Sequence, residues 1–208
     1  MTIEKGAAWG TVGVTPHDCV VAKDEAAASA ALQHGATHVW LESGDILRAL
    51  GLSVETGAPK VGEPCRLLPC DVLMVQLDDA APVLALSSVV VGSWRKPQIW
   101  VTTGGFLGEL NVAPRAHVND GLIDALEFKG SIRLRQLLLM RRRMRLGDHL
   151  PHPRLTMHRG TEVTWPSSPH GAKSSAVSID GKQRGRTAHL TINVRPDALL
   201  LCVPMPAA

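Results

Sequence analysis

The chain has 208 residues, 45% of them apolar, and carries a formal charge of +3 at neutral pH. That is enough apolar material for a real core, and no apolar run approaches the roughly 18 to 20 residues that span a bilayer, so a disordered polyelectrolyte and a helical membrane protein are both excluded. Four scattered cysteines (Cys19, Cys65, Cys70, Cys202) without CxxC or zinc-ribbon spacing, and a polar start without a signal peptide's apolar region, read as free thiols in a cytoplasmic protein.

From Asp24, the run DEAAASAALQHGA has the acidic start and the Gly35 stop of a helix, and THVWLE after it reads as a strand. SGDILRALG then adds a strand end, a Gly-Asp turn and a short helical pattern. Phosphate-binding loops show that order, and so does any tight turn after a strand. The Gly/Pro-rich stretch SVETGAPKVGEP marks a boundary, so residues 1–58 are expected as an abbreviated α/β portion and residues 59–208 as a second domain.

Beyond that boundary, short β-branched runs alternate with turn residues. DVLMVQL, VLALSSVVVG, PQIWVTT, IDALEF, RLTMHRG, TEVTWP, AVSID, AHLTINV and ALLLCVP are the expected strands, with Asp78, Asp79 and Pro82 at the first hairpin. So many short strands predict a mainly antiparallel sandwich, and the fold class is α+β. One helix interrupts them: SIRLRQLLLMRRRMRLG is expected to start at the N-cap Ser131, to turn Leu134, Leu137, Leu138 and Met144 to one apolar face, and to stop at Gly147. Six arginines lie between Arg133 and Arg145. Arg141, Arg142, Arg143 and Arg145 read either as a membrane-surface element attracted to anionic headgroups or as a solvated face. No recognition motif accompanies the charge, so nucleic acid is not an expected partner. The stretch from Pro166 to Ala176 reads as a surface loop.

The segment GGFLGELNVAPRAHVNDGLIDALEF resembles the signature of bacterial diacylglycerol kinases and their sphingosine kinase relatives. Gly104, Phe106, Gly108, Ala113, Pro114, Ala116, Asp120, Gly121, Leu122 and Asp124 follow the family order. VSIDGKQRG is similar to that family's Asp-Gly-Glu turn, and NVRPDALLLCVP to its closing strand, so the resemblance covers about residues 70 to 208. It implies a β-sandwich lipid-binding domain preceded by a nucleotide-binding lobe, with ATP as phosphoryl donor, a lipid hydroxyl as acceptor and Mg²⁺ as cofactor. It further implies a structural Mg²⁺ on Asp120 with the carbonyls of His117 and Leu122, oxygen ligands that suit this hard cation. From the residues alone, Asp120 serves equally as a turn-capping group.

Two departures qualify that resemblance. The family's nucleotide loop, Gly-Gly-Asp-Gly-Thr, falls on Ser43, Gly44, Asp45, Ile46 and Leu47, so only Gly44 and Asp45 are kept. A β-branched Ile46 resists both positive φ and the close approach of a phosphate. At the Asp180-Gly181-Lys182 turn, the family's carboxylate is replaced by Lys182, which binds no Mg²⁺ and accepts no proton when charged. The resemblance thus implies Asp45 and Asp180 as catalytic candidates, and Gly44, Asp45, Gly181 and Lys182 as nucleotide-binding candidates. The departures imply weak or lost transfer. The alternative is a degenerate lipid- or phosphate-binding module, acting alone, as a homo-oligomer, or with a partner that completes the nucleotide lobe, in the cytoplasm or at the inner membrane surface.

Overall fold

Two long strands organise the molecule. The computed structural model describes residues 9–52, 57–166 and 174–205, and within it β4 (Pro64–Leu77) and β15 (Leu190–Pro204) run 14 and 15 residues. They pair antiparallel from Leu77↔Leu190 to Cys65↔Pro204. The register shifts once, between Arg195 and Leu199, where Asp197 takes a φ of 52°. The two expected strands AHLTINV and ALLLCVP are therefore one strand with a bulge, which absorbs the proline that would otherwise interrupt the ladder.

Around this pair grows a seven-stranded sheet. β1 (Thr11–Val14) and β5 (Val83–Ala85) join β4, while β12 (Glu162–Trp165) and β3 (His38–Leu41) join β15. β3 runs parallel to β15, and β2 (Val20–Ala22) runs parallel to β3. The helix α1 (Glu25–Gln33) is the crossover between β2 and β3, as parallel strands require, and is capped by Asp24 through the Ala27 N–H. The α/β portion predicted over residues 1–58 is thus built onto the same sheet as the later strands. Part of the expected boundary, residues 53–56, lies outside the described residues.

The second sheet has six strands in the order β11 (Leu155–Gly160), β10 (Ile123–Phe128), β7 (Pro97–Thr102), β6 (Ser88–Gly92), β13 (Ser175–Ile179), β14 (Lys182–Thr187). Its inner face, with Val89, Val101, Ile123 and Ile179, packs on Leu73, Val75, Leu190 and Ile192 of the long strands. This is the sandwich, and the fold is α+β with mainly antiparallel sheets. VLALSSVVVG is divided into β5 and β6, because the Leu86 and Ser87 N–H groups turn to the Asp180 carboxylate instead of a ladder. Most of the loop expected between Pro166 and Ala176 lies outside the described residues, and Ser175 and Ala176 belong to β13.

A separate core sits at the other end of β4 and β15. Leu68, Cys70 and Val72 point to the face opposite Leu73 and Val75, and meet Ala28, Leu32, Val39, Ile46 and Leu47. Ile46 and Leu47 belong to α2 (Asp45–Ala49) and are 0% and 2% exposed, so the two residues that depart from the nucleotide-loop pattern are core residues. The third helix, α3 (Leu134–Met144), covers the outer face of the second sheet with Leu137, Met140 and Met144 against Trp100, Leu126 and Phe128. It starts two residues later than expected. Arg133 and Gln136, not Ser131, make the cap, and Leu134 and Leu138 of the expected apolar face stay exposed.

Candidate functional site

The turn Ser43-Gly44-Asp45 leads β3 into α2. Gly44 has a φ of 145°, reserved for glycine, and a Cβ there would overlap the Glu25 carboxylate. Glu25, the first residue of α1, reaches across the turn and accepts the Ile46 N–H at 3.0 Å. An internal carboxylate therefore occupies the space over the one glycine that the loop retains. Glu25 is buried, and desolvation, reinforced by Asp45 and Asp180, pushes its pKa up to about 7 against the pull of the Ile46 N–H.

Asp45 points the other way. Its carboxylate accepts the Gly108 N–H at 2.9 Å, tying α2 to the hairpin of β8 (Phe106–Leu107) and β9 (Leu110–Asn111). Burial raises its pKa, the Gly108 bond and Arg48 oppose that rise, and Asp180 adds to it. Asp180 sits in the β13–β14 hairpin, whose two linking residues have φ of 46° (Asp180) and 73° (Gly181), the type I′ signature that Asp-Gly supports. Its two oxygens accept the N–H groups of Leu86, Ser87 and Ser88 at 2.8 to 3.0 Å, the Ser87 hydroxyl at 3.2 Å and the Ser29 hydroxyl at 2.5 Å. So saturated a carboxylate is a structural clasp between α1 and the β5–β6 link. Taking a proton from an acceptor hydroxyl would displace at least one of these donors.

Lys182 follows on that hairpin and pairs with Asp24 at 3.1 Å, where Asp24 already caps α1. The Ala27 N–H and Lys182 hold the Asp24 carboxyl below its usual range. The structure thus brings the nucleotide-side candidates Gly44, Asp45, Asp180, Gly181 and Lys182 to one neighbourhood, together with Asp24 and Glu25, which the sequence motif did not single out. The ammonium is neutralised by its own chain, and three further carboxylates surround the turn. A polyphosphate entering here would meet net negative charge and a filled anion position.

The candidate metal turn is organised differently from its expected form. Buried Asp71 of β4 is its centre, accepting Gly121 N–H at 2.6 Å, Asp197 N–H at 3.1 Å and the Asn119 amide at 3.3 Å. Desolvation raises the Asp71 pKa to about 6. Asp120 accepts the Leu122 N–H at 3.0 Å with one oxygen and the Arg159 guanidinium with the other. His117 is engaged through its ring, which accepts the Asn119 N–H at 3.2 Å and meets Trp9 edge-on at 5.1 Å. Arg159 stands directly across the β10–β11 ladder from Asp124 and lies 3.6 Å from its carboxylate. A guanidinium already provides the positive charge between the two carboxylates, and each Asp120 oxygen already accepts one donor, so a Mg²⁺ on Asp120 would have to compete with Arg159. The alternative, a turn-capping Asp120, describes the geometry. No cluster of metal-ligating side chains with suitable spacing occurs among the described residues.

Beside Arg159 and Asp124 opens a cavity of about 1070 Å³. Pro114, Leu150, Pro153, Leu155 and Met157 give it apolar walls, while Arg115, Arg159 and Asp124 give it a charged end. One Asp124 oxygen is buried without a hydrogen-bond partner, and desolvation raises this carboxyl to about 6 despite Arg159. That arrangement suits an amphiphile, with an apolar body along the walls and a polar head toward the arginines.

Residues 79–203 match the family model described as the YegS C-terminal NAD kinase β-sandwich-like domain. No curated protein matches the sequence. Among solved structures, the chain is similar to "A putative diacylglycerol kinase from Bacillus anthracis str. Sterne", at 10% identity and a TM-score of 0.59, over 91% of this chain and 78% of that one. A second structure, titled "Crystal structure of a putative diacylglycerol kinase from Bacillus anthracis str. Sterne", gives 12% identity and a TM-score of 0.57 over the same shares. At such identities the likeness is one of fold.

Proposed function

We propose, from the premise that this chain belongs to the family of YegS C-terminal NAD kinase β-sandwich-like domains and so to the diacylglycerol-kinase-like lipid kinases, that it binds a lipid while its ATP-dependent phosphoryl transfer is weak or lost. The family implies ATP and a divalent metal in general. What supports the departure is one observation: the Glu25 carboxylate fills the space over Gly44 and takes the Ile46 N–H, the place a phosphate would need. The pairing of Lys182 with Asp24 and the saturation of Asp180 agree with it. Transfer depends on positioning and charge stabilisation of the γ-phosphoryl group, and here Lys182 is paired with Asp24 while Gly44 is the one glycine kept in the loop. The lipid site in this reading is the cavity between Pro114, Leu150 and Met157, with Arg115 and the unpartnered Asp124 oxygen at its polar end.

The test pairs transfer with binding. Labelled ATP and Mg²⁺ are offered with a panel of diacylglycerols and long-chain bases, and calorimetry follows a short-chain, water-soluble diacylglycerol without nucleotide. The expected result is no phosphorylated lipid above the blank, and saturable diacylglycerol binding that Met157→Trp removes by filling the cavity. Lipid phosphorylation that disappears in Asp45→Asn would overturn the reading.

A further inference from the structure

The helix α3 has a second face that its own core leaves unused. Leu137, Met140 and Met144 are buried beneath it. Opposite them, at the spacing i, i+3, i+4 and i+7, stand Arg135, Leu138, Leu139 and Arg142, all exposed. Leu138 and Leu139 are 49% and 55% exposed, Leu134 at the helix start 47%, and Leu146 just past its end 82%. The β6–β7 hairpin tip lies alongside, with Trp94 53% exposed and followed by Arg95 and Lys96. Arg141 joins the two elements, donating to the Trp94 carbonyl at 3.0 Å and lying 4.4 Å over the Trp94 ring. Four of the ten exposed large hydrophobics among the described residues are leucines of this helix region, and Trp94 is a fifth. No acidic residue occurs from Ser131 to Gly147, and the neighbouring Glu109 is already paired with Arg145 at 3.2 Å.

Charge and apolar surface have to be satisfied by the same occupant. A nucleic acid would answer the arginines and leave the exposed leucines in water. An acid-rich lipid surface answers both: leucines enter the acyl boundary, guanidinium heads stay at the phosphates with their stems in the apolar layer, and an indole sits at headgroup depth. We infer that the exposed face of α3 and the Trp94–Lys96 hairpin tip form one docking surface for an anionic lipid bilayer. The inference rests on the reading of the chain as a lipid-binding protein, and it adds the surface by which such a chain would reach its ligand. The cavity beside Leu150 and His152 adjoins the C-terminal end of the same helix through Gly147.

The experiment is co-sedimentation of the full chain with vesicles of phosphatidylcholine alone or mixed with phosphatidylglycerol. No diacylglycerol or long-chain base is included, so failure here is separate from failure of the cavity. Binding is expected only to the anionic vesicles and to weaken with salt. Arg135→Glu with Arg142→Glu should lower the partition by about tenfold or more, since each basic group near such a surface contributes on the order of a few-fold to tenfold. Leu138→Ser with Leu139→Ser should lower it comparably at unchanged charge. Arg66→Glu with Arg184→Glu, both exposed on other strands, keeps the fold and the net charge change as a control and should retain most of the binding. Three results overturn the inference: equal loss in the control pair, no effect of the serine pair, or loss of a homodimer in the serine pair with no vesicle binding by the parent.

Discussion

Glu25 is a carboxylate held where a neutral group would be more stable. Its folded pKa of about 7 exceeds the ordinary 4.5, so between those values the folded chain keeps a proton that the unfolded chain has released. Stability from this group is complete below the lower value and declines as pH rises through the upper one. Asp71 and Asp124, each raised to about 6, act in the same direction over a narrower window. One pKa unit corresponds to about 1.4 kcal/mol, so a rise from 4.5 to about 7 puts the Glu25 contribution at no more than roughly 3 to 4 kcal/mol. Glu25→Gln keeps an acceptor for the Ile46 N–H and removes the charge. In urea unfolding it should therefore be more stable than the parent by about 1 to 3 kcal/mol near pH 8 and nearly equal near pH 5. A variant no more stable than the parent near pH 8 would show that burial is not what strains this group. Nothing in the motif announces Glu25, because its partner Ile46 is 21 residues away and the contact needs the β2–α1–β3 crossover to exist. Arg159 is equally silent in sequence, for it meets Asp124 only through the β10–β11 register.

The helix α3 shows how a pattern can be read correctly as an element and incorrectly as a face. Leucine occurs on both sides of it, and the buried side is completed by Met140 and Met144, which fit the irregular surface of Trp100 and Phe128. Truncation separates the sides. Leu137→Ala, at a site with 0% exposure, should destabilise by about 2 to 4 kcal/mol, whereas Leu138→Ala should change stability by less than about 0.5 kcal/mol. Thermal or urea unfolding of the two variants checks this, and equal costs would mean that the helix is rotated from the orientation described. The hairpins were more legible. Asp180-Gly181 closes a two-residue type I′ turn because both positions need positive φ, and the alternating runs around it became strands of the sandwich.

Across the whole molecule, the long strands β4 and β15 join the described part of the N-terminal portion to the sandwich through one sheet. Each strand turns one face to the helices α1 and α2 and, further along, the opposite face to the second sheet. Sequence periodicity revealed the sandwich, since alternation reports burial on one face, but β4 reads only as its second half, DVLMVQL. Its first half, with Pro64 and Pro69, lacks the usual strand texture and is recruited by pairing with β1 and β15. The same sheet carries the elements that hold Asp45 and Glu25 near Asp180, while the cavity lined by Pro114, Leu150 and Met157 stays open. The most direct measurement is titration calorimetry of ATP with Mg²⁺ against the full chain. No saturable heat is expected at nucleotide concentrations up to about 1 mM, the upper end of ordinary enzyme affinities. Saturable binding in that range, lost when Asp45 is changed to Asn, would contradict it.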